Sequence, residues 1–189
     1  MKITDVTVTL FAWDDIPATQ YGRHTGRFVG RSDLGLVTVK TDQGIEGHAF
    51  LGSASRPASN DAGLIPRILK PMLVGEDPLD RERHFQRMWA RTRMNNQLRV
   101  LGAIDVALWD IAGKVAGMPI HKLMGGFRTS VPAYASSAVM PSIEAYAERL
   151  RAAMEAELQQ RPGDPYACAK LGSLEVAEGQ LQRGLALLH

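Results

Sequence analysis

Two arginines and a histidine lie close together in a glycine-rich stretch near the N-terminus. The stretch reads Tyr21-Gly22-Arg23-His24-Thr25-Gly26-Arg27. Arginine offers a planar fork of donors for a carboxylate, and a neutral histidine offers one further donor. Tyr21, Arg23, His24 and Arg27 are therefore candidate substrate-binding residues. The same composition is typical of a polar loop without a specific partner, and the residues alone favour that interpretation.

A second irregular stretch, GSASRPASND, begins at Gly52. Its Ser53, Ser55 and Arg56 side chains could reach a substrate through hydroxyl and guanidinium groups. Clusters of serine and proline also mark ordinary turns, and we favour that interpretation. Ser53 and Ser55 are retained as candidate binding residues.

Other reaction chemistries find little support in the sequence. The five histidines have no metal-ligand spacing, and neither a standard phosphate-binding glycine loop nor a Gly-x-Ser-x-Gly nucleophile elbow occurs. Cys168 is the single cysteine, and we predict that it is inert because it lacks an evident activating base. Asp105, Trp109 and Asp110 share one helical stretch and are interpreted as buried hydrogen-bonding or interface groups.

A run of arginines raises the question of a nucleic-acid-binding stripe. Its members are Arg81, Arg83, Arg87, Arg91, Arg93 and Arg99. Asp80 and Glu82 interrupt the run, and no aromatic stacking platform accompanies it, which favours a solvated or salt-bridged face. The formal net charge, 22 basic minus 20 acidic residues, is only +2. This balance requires neither a nucleic-acid nor a membrane partner, and we expect neither.

Composition is that of an ordinary globular protein. The 189 residues, 45% hydrophobic and 22% charged, suit one domain with a sizeable core or two small ones. The N-terminus does not resemble a signal peptide, and no run approaches the roughly 20 apolar residues that cross a bilayer. A single cysteine fits a reducing compartment. We therefore expect a cytoplasmic protein.

Three strands are predicted in the first third of the chain. Residues 3–11 alternate in the manner of a strand, and residues 34–40 and 45–51 form a hairpin around a turn that ends at Gly44. Residues 14–33 contain glycines and a proline and are predicted to form a long loop.

Helices follow the strands. One helix is predicted over 61–73, weakened by Pro66, and a second begins at Asp77-Pro78. A third, central helix buries a stripe of Ile104, Leu108, Ile111 and Val115, pairs Asp110 with Lys114, and ends at Gly117. Beyond Gly126, residues 131–137 are predicted to form a strand, 142–160 a helix, and the tail a mostly helical segment.

The stretch GAIDVALWDIAGKVAGMPIHKLMGG at residues 102–126, preceded by a three-stranded meander, carries a specific resemblance. It resembles the N-terminal capping domain of the mandelate racemase and muconate-lactonizing branch of the enolase superfamily, and most of all the members that act on sugar acids. The resemblance spans about residues 1–158. It implies an α+β fold in which a three-stranded antiparallel meander and a helical bundle form a lid.

In that family the lid covers a modified (β/α)₈ barrel. The resemblance implies that three barrel carboxylates bind Mg²⁺ and that a base removes the proton α to a substrate carboxylate, followed by dehydration, racemisation or cycloisomerisation. It also implies that residues 14–33 and 51–60 are the two lid loops that select the substrate. The implied domains are 1–126 as the capping domain, 127–160 as the first strand and helix of the barrel, and 161–189 as a helical tail of uncertain origin.

A complete barrel takes at least about 200 residues, and 63 follow Gly126. We therefore expect a truncated family member that binds no Mg²⁺ itself, although full-length relatives do, and that is inactive alone. Lys170 is a weak candidate for a remnant of a catalytic lysine on the second barrel strand. The tail around it also resembles one tetratricopeptide repeat.

A rival hypothesis is a non-catalytic protein-interaction module with a tetratricopeptide-like C-terminal hairpin. An exposed first barrel strand and an uncovered lid face predict self-association, because unpaired strand edges and apolar patches favour association. The sequence leaves the substrate, the stereochemistry and the catalytic base open.

Overall fold

The computed structural model describes residues 1–19, 28–93, 97–131, 139–177, 179–180, 183 and 186–187. The chain divides into two compact units. The first comprises Met1–Ala18 and Phe28–Val131, and the second comprises Thr19–Arg27 and Pro132–His189. The predicted domain boundaries after residues 126 and 160 stay predictions.

The first unit contains a three-stranded sheet in the order β1-β2-β3. The strands are β1 (Ile3–Thr19), β2 (Phe28–Thr41) and β3 (Glu46–Leu51). β2 and β3 pair antiparallel, with Gly35 opposite Leu51 and Lys40 opposite Glu46. The predicted hairpin is confirmed, and Gly44 supplies its turn with a φ of 75°.

The predicted loop over residues 14–33 is wrong at both ends. β1 extends to Thr19 and β2 begins at Phe28, so the sheet continues as a ribbon on either side of residues 20–27. Asp14 and Arg31 form an ion pair at 3.1 Å across this ribbon. Pairing therefore imposes extended structure on a stretch whose glycine and proline content is typical of loops.

Residues 59–73 form three short consecutive helical pieces. They are α1 (Ser59–Ala62), a π-helical turn (Ile65–Leu69) and α2 (Lys70–Leu73). The predicted single helix is thus interrupted. Pro66 lies at the start of the π-helical turn, where a proline is tolerated because the first backbone N–H groups of a helix have no partner within the helix.

Helix α3 spans Arg81–Thr92, so the predicted start at Asp77-Pro78 is three to four residues early. The Asp77 carboxylate accepts a hydrogen bond from the Leu79 amide at 3.0 Å and forms a turn before the helix. The buried His84 ring lies 2.7 Å from the Asp77 carbonyl oxygen through Nε2 and ties the helix to that turn.

Helix α4 spans Leu98–Ala116 and is the centre of the first unit; the short helix α5 (Ile120–Leu123) follows it. Gly117 ends α4 with a left-handed φ of 60°, as predicted. Ile104, Leu108 and Ile111 are completely buried, whereas Val115 is 43% exposed, so the predicted stripe is wrong at its last member. The three buried residues belong to a core that includes Ile3, Val6, Val37, Val39, Leu51, Ile65, Leu69, Leu73, Met88 and Leu101.

A close helix–strand joint holds α4 against β3. A Cβ atom on Gly47 would overlap the carbonyl oxygen of Ala107 and lie 2.7 Å from Cγ1 of Ile111. Beside this contact the Asp110 carboxylate accepts hydrogen bonds from the His48 amide at 2.9 Å and from the Lys114 ammonium at 2.7 Å. The predicted pair of Asp110 and Lys114 is therefore confirmed as part of this joint.

The second unit contains an α-helical hairpin. It consists of α6 (Ile143–Gln160) and α7 (Pro165–Ala177), and the hydroxyl of Ser142 caps α6 by accepting a hydrogen bond from the Ala145 amide. Glu175 is buried in α7 and forms an ion pair with Arg151 of α6. The predicted strand over 131–137 lies almost entirely outside the described residues. No helix in the described part of the chain is long and apolar enough to cross a membrane.

Candidate functional site

The candidate site residues fall into three groups. Tyr21, Arg23, His24 and Arg27 lie outside the described residues. Ser53 and Ser55 are exposed in a turn that directly follows β3. Lys170 lies on α7, in the second unit.

The turn comprises residues 53–56 and is called the Ser53–Arg56 turn below. The Ser53 amide donates to the Arg56 carbonyl at 2.9 Å, and the Arg56 amide donates to the Ser53 carbonyl at 3.2 Å. The Ser53 hydroxyl accepts a further bond from the Arg56 amide at 3.2 Å and lies 3.3 Å from the Ser55 hydroxyl. The Ser55 and Arg56 side chains are exposed at the tip.

Strand β2 binds the turn at Ser53 and the start of α1 at Ser59. The Ser32 hydroxyl donates to the Ser53 carbonyl at 2.9 Å. The Asp33 carboxylate accepts hydrogen bonds from the amide and the hydroxyl of Ser59, each at 2.7 Å. These bonds from Ser59 hold the pKa of Asp33 below its usual range.

Helix α4 supplies a second attachment of the turn through Arg99. Its Nη2 donates to the carbonyl oxygen of Arg56 at 2.9 Å, and its Nη1 pairs with the Asp61 carboxylate at 2.8 Å. The guanidinium therefore bridges the Ser53–Arg56 turn and α1. A planar fork of donors is suited to hold two acceptors in one fixed arrangement.

A shallow cavity of about 530 Å³ lies beside the turn. It is lined by Leu10, Phe11, Ala12, Arg31, Ser32, Asp33 and Pro57. Leu10 and Phe11 are about half exposed, and Arg31 contributes a guanidinium that is paired with Asp14. The cavity thus offers an apolar wall and a cation next to the serine and arginine side chains of the turn.

Sequence reasoning missed the residues that hold this site together, namely Ser32, Asp33 and Arg99. Asp33 bonds to a residue 26 positions away, and Arg99 to one 43 positions away. The spacing of neighbouring residues in the sequence cannot indicate pairs that are so far apart. Only Arg99 was singled out, as a member of the arginine run.

The salt-bridged interpretation of that run is confirmed for three of its members. Arg83 and Arg87 pair with Glu76, at 3.6 and 3.0 Å, and Arg99 pairs with Asp61. The hydrogen bond from Arg87, together with the positive charges nearby, holds the pKa of Glu76 below its usual range.

The assignment of Lys170 to a barrel strand is wrong in this structure, because residues 165–177 are helical. Its Nζ lies 5.6 Å from the centre of the Tyr166 ring, one helical turn away. Alanine-rich sequence favours the helix here.

Comparison with known proteins identifies relatives of the first unit. Residues 4–125 match the model of the mandelate racemase / muconate lactonizing enzyme N-terminal domain. A D-galactonate dehydratase family member from Paenibacillus sp. is 40% identical over 105 residues, covering 52% of this chain and 25% of that protein. The cis-3-hydroxy-L-proline dehydratase of Roseibium aggregatum is 35% identical over 134 residues, covering 67% of this chain and 35% of that protein.

Solved structures agree with this match. D-glucarate dehydratase from Agrobacterium tumefaciens, complexed with magnesium, superimposes with a TM-score of 0.65 at 28% identity, covering 100% of this chain and 59% of that one. A racemase from Streptomyces coelicolor with bound magnesium has the same fold, with a TM-score of 0.70 at 23% identity over 91% of this chain and 52% of that one. The α+β capping fold is thereby confirmed, while the tetratricopeptide resemblance finds no support in these matches. The chain spans about a quarter to a third of the two curated relatives.

Proposed function

Because the chain belongs to the mandelate racemase and muconate lactonizing enzyme family, we propose that residues 1–126 form a substrate-selecting lid for a sugar-acid dehydratase. The observation that carries the proposal is the Ser53–Arg56 turn. Two anchors, Ser32 and Arg99, hold its backbone, while the Ser55 and Arg56 side chains remain exposed. Such an arrangement presents polar groups to a ligand in a fixed position.

The exposed groups of the turn suit an acid sugar. The Arg56 guanidinium can donate two parallel hydrogen bonds to a carboxylate. The Ser55 hydroxyl can donate to, or accept from, a substrate hydroxyl. Tyr21, Arg23, His24 and Arg27 are proposed to contribute the second half of this recognition, in keeping with the family resemblance.

We assign no magnesium site to the residues of this lid. No group of three or more histidine, cysteine, aspartate or glutamate side chains lies close enough to hold a metal ion within the described ranges. These residues therefore do not fit the Mg²⁺ site that the relatives possess, and we assign them binding and orientation of substrate but no catalytic step. We expect no turnover by this chain on its own.

The test is ligand binding observed by NMR on the full chain. Titration with D-galactonate, which carries both a carboxylate and hydroxyls, is expected to shift the amide signals of Ser53, Ser55 and Arg56. A neutral sugar alcohol of the same length tests whether the carboxylate matters. Arg56→Ala is expected to abolish the shifts, whereas Arg67→Ala, another exposed arginine whose Nε donates to the Gly63 carbonyl, should leave them unchanged.

Two results would count against the lid. The first is equal shifts with the neutral sugar alcohol, and the second is shifts that survive Arg56→Ala. The rival interaction-module hypothesis predicts no shifts with any sugar acid, so the same titration separates the two functions.

A further inference from the structure

The cavity beside the Ser53–Arg56 turn lies next to two guanidinium groups. Arg31 of β2 lines it, and so does Pro57, which directly follows Arg56 in the chain. The hydroxyl of Ser32, the neighbour of Arg31, donates to a carbonyl of the turn at 2.9 Å, so β2 and the turn are in direct contact here. The volume of about 530 Å³ is typical of small-ligand pockets. Both arginines therefore lie at, or directly beside, one ligand-sized space.

Arg31 has hydrogen-bond donors that no residue uses. Its Nε pairs with Oδ1 of Asp14 at 3.1 Å, and its two Nη groups have no acceptor among the residues that the structure describes. The side chain is 74% exposed, so these donors are open to a ligand. A guanidinium has five N–H groups in a fixed planar arrangement. Arg31 can therefore bind a second carboxylate while its pair with Asp14 persists.

The backbone beside this ion pair has an unusual conformation. Asp15 has a φ of 57° and is the one non-glycine residue in the described ranges with a positive φ. Gly30, which directly precedes Arg31, has a φ of 91°. Asp14 and Arg31 are thus each adjacent to a residue in a left-handed conformation. Such conformations are unfavourable for residues other than glycine and cluster at ligand-binding sites.

An apolar wall strengthens a charge pair formed in this cavity. Leu10 and Phe11 of β1 supply the wall, which offers no side-chain acceptor to Arg31. Apolar surroundings lower the local dielectric and so strengthen hydrogen bonds between charged groups. The Asp33 carboxylate also lines the cavity, but it accepts hydrogen bonds from the amide and the hydroxyl of Ser59. A ligand that brings its own anionic acceptor to Arg31 is therefore favoured.

We propose that this lid prefers sugar acids with a carboxylate at each end, of which Arg56 binds one and Arg31 the other. The inference rests on the proposed function and adds to it the class of sugar acid. A sugar acid with one carboxylate ends in a hydroxymethyl group, which is a neutral acceptor. Hydrogen bonds between charged groups are roughly twice as strong as those between neutral groups. Asp14 already neutralises part of the charge of Arg31, so the result is a preference and not an absolute requirement.

Paired NMR titrations of the full chain with galactarate and D-galactonate test this preference. The two acids differ only at the sixth carbon, which carries a carboxylate in galactarate and a hydroxymethyl group in galactonate. The amide shifts of Ser55 and Arg56 give both dissociation constants at one pH and one ionic strength. Galactarate is expected to bind about tenfold more tightly. About twofold of this ratio is statistical, because either end of galactarate can bind Arg56.

Substitutions test whether Arg31 binds the second carboxylate. Arg31→Gln is expected to reduce the ratio of the two dissociation constants to about two, and Arg31→Lys, which keeps the charge but loses the planar fork, to an intermediate value. Asp14→Asn removes the competing carboxylate and should raise the ratio. Arg67→Gln is the matched control, because Arg67 is an exposed arginine whose Nε donates to the Gly63 carbonyl, and it should leave the ratio unchanged. Circular dichroism verifies that each variant is folded.

The outcomes separate this proposal from the lid itself. A wild-type ratio of about two or less overturns the preference for two carboxylates, and so does a ratio that Arg31→Gln leaves unchanged. In either case the lid stands, provided that both acids shift the turn and Arg56→Ala abolishes those shifts. Absence of shifts with both acids refutes the lid and this proposal together.

Discussion

Replacement of Gly47 by alanine is the most direct test of how the first unit is held together. The added methyl group would overlap the Ala107 carbonyl oxygen and lie 2.9 Å from the Ala107 carbonyl carbon. These are backbone atoms of α4, so no side-chain rotation relieves the overlap. Helix and strand must therefore separate by about 1 Å, because ordinary carbon contacts lie at about 3.5–4.0 Å.

This separation weakens the contacts between α4 and the core and so lowers the free energy of unfolding. Ile104, Leu108 and Ile111 are completely buried on the core side of α4. A gap of this size forfeits about a quarter to a half of each van der Waals contact across it. The hydrogen bonds from His48 to Asp110 and from Lys114 to the Glu46 carbonyl weaken as well. The free energy of unfolding should fall by about 3 kcal/mol, at the upper end of what overpacking causes.

Urea unfolding at one protein concentration measures this change. Gly63→Ala is the matched control, because Gly63 has helical dihedral angles and open space around a Cβ atom. It should leave stability within about 1 kcal/mol of wild type, or raise it slightly, since alanine restricts the unfolded chain. Gly47→Ala stability within about 0.5 kcal/mol of wild type would refute the steric argument.

Three further predictions concern single residues. Asp33 has a lowered pKa in the folded state, so the stability that it contributes is present at neutral pH and is lost as the pH falls below about 4. Asp33→Asn should remove this part of the acid dependence, which thermal unfolding across a range of pH values measures. Asp110→Ala should lower the free energy of unfolding by about 1–3 kcal/mol, because the His48 amide loses its acceptor, and an unchanged urea midpoint would contradict this. Gly117→Ala should lower the free energy of unfolding by about 1 kcal/mol, because the φ of 60° is unfavourable for alanine. Gly117→Asn should lower it less, and equal urea midpoints for the two variants would argue against a left-handed cap.

Features with local causes were predictable from the sequence. The turn at Gly44 and the end of α4 at Gly117 both follow from glycine at positive φ. The pair of Asp110 and Lys114 follows from their spacing of four residues on a helix. In these cases the residues that determine the structure are neighbours along the chain.

Features that depend on distant partners were not predictable in this way. The composition of residues 14–19 and 28–33 is typical of a loop, yet each segment extends the sheet because the other is available to pair with it. β1 lies at the edge of the sheet, where the proline at position 17 is tolerated. The anchoring of the Ser53–Arg56 turn by Ser32 and Arg99 likewise joins residues far apart in sequence.

The hydrogen bonds that anchor the Ser53–Arg56 turn end mostly on its backbone. Ser32 donates to the Ser53 carbonyl oxygen, and Arg99 donates to the Arg56 carbonyl oxygen. Every amino acid possesses these acceptors, so the side chains at positions 55 and 56 are free to change while the shape of the turn persists. Shape and chemical identity are thus specified by different residues. Substitutions at the tip therefore need no compensating change in the residues that hold the turn.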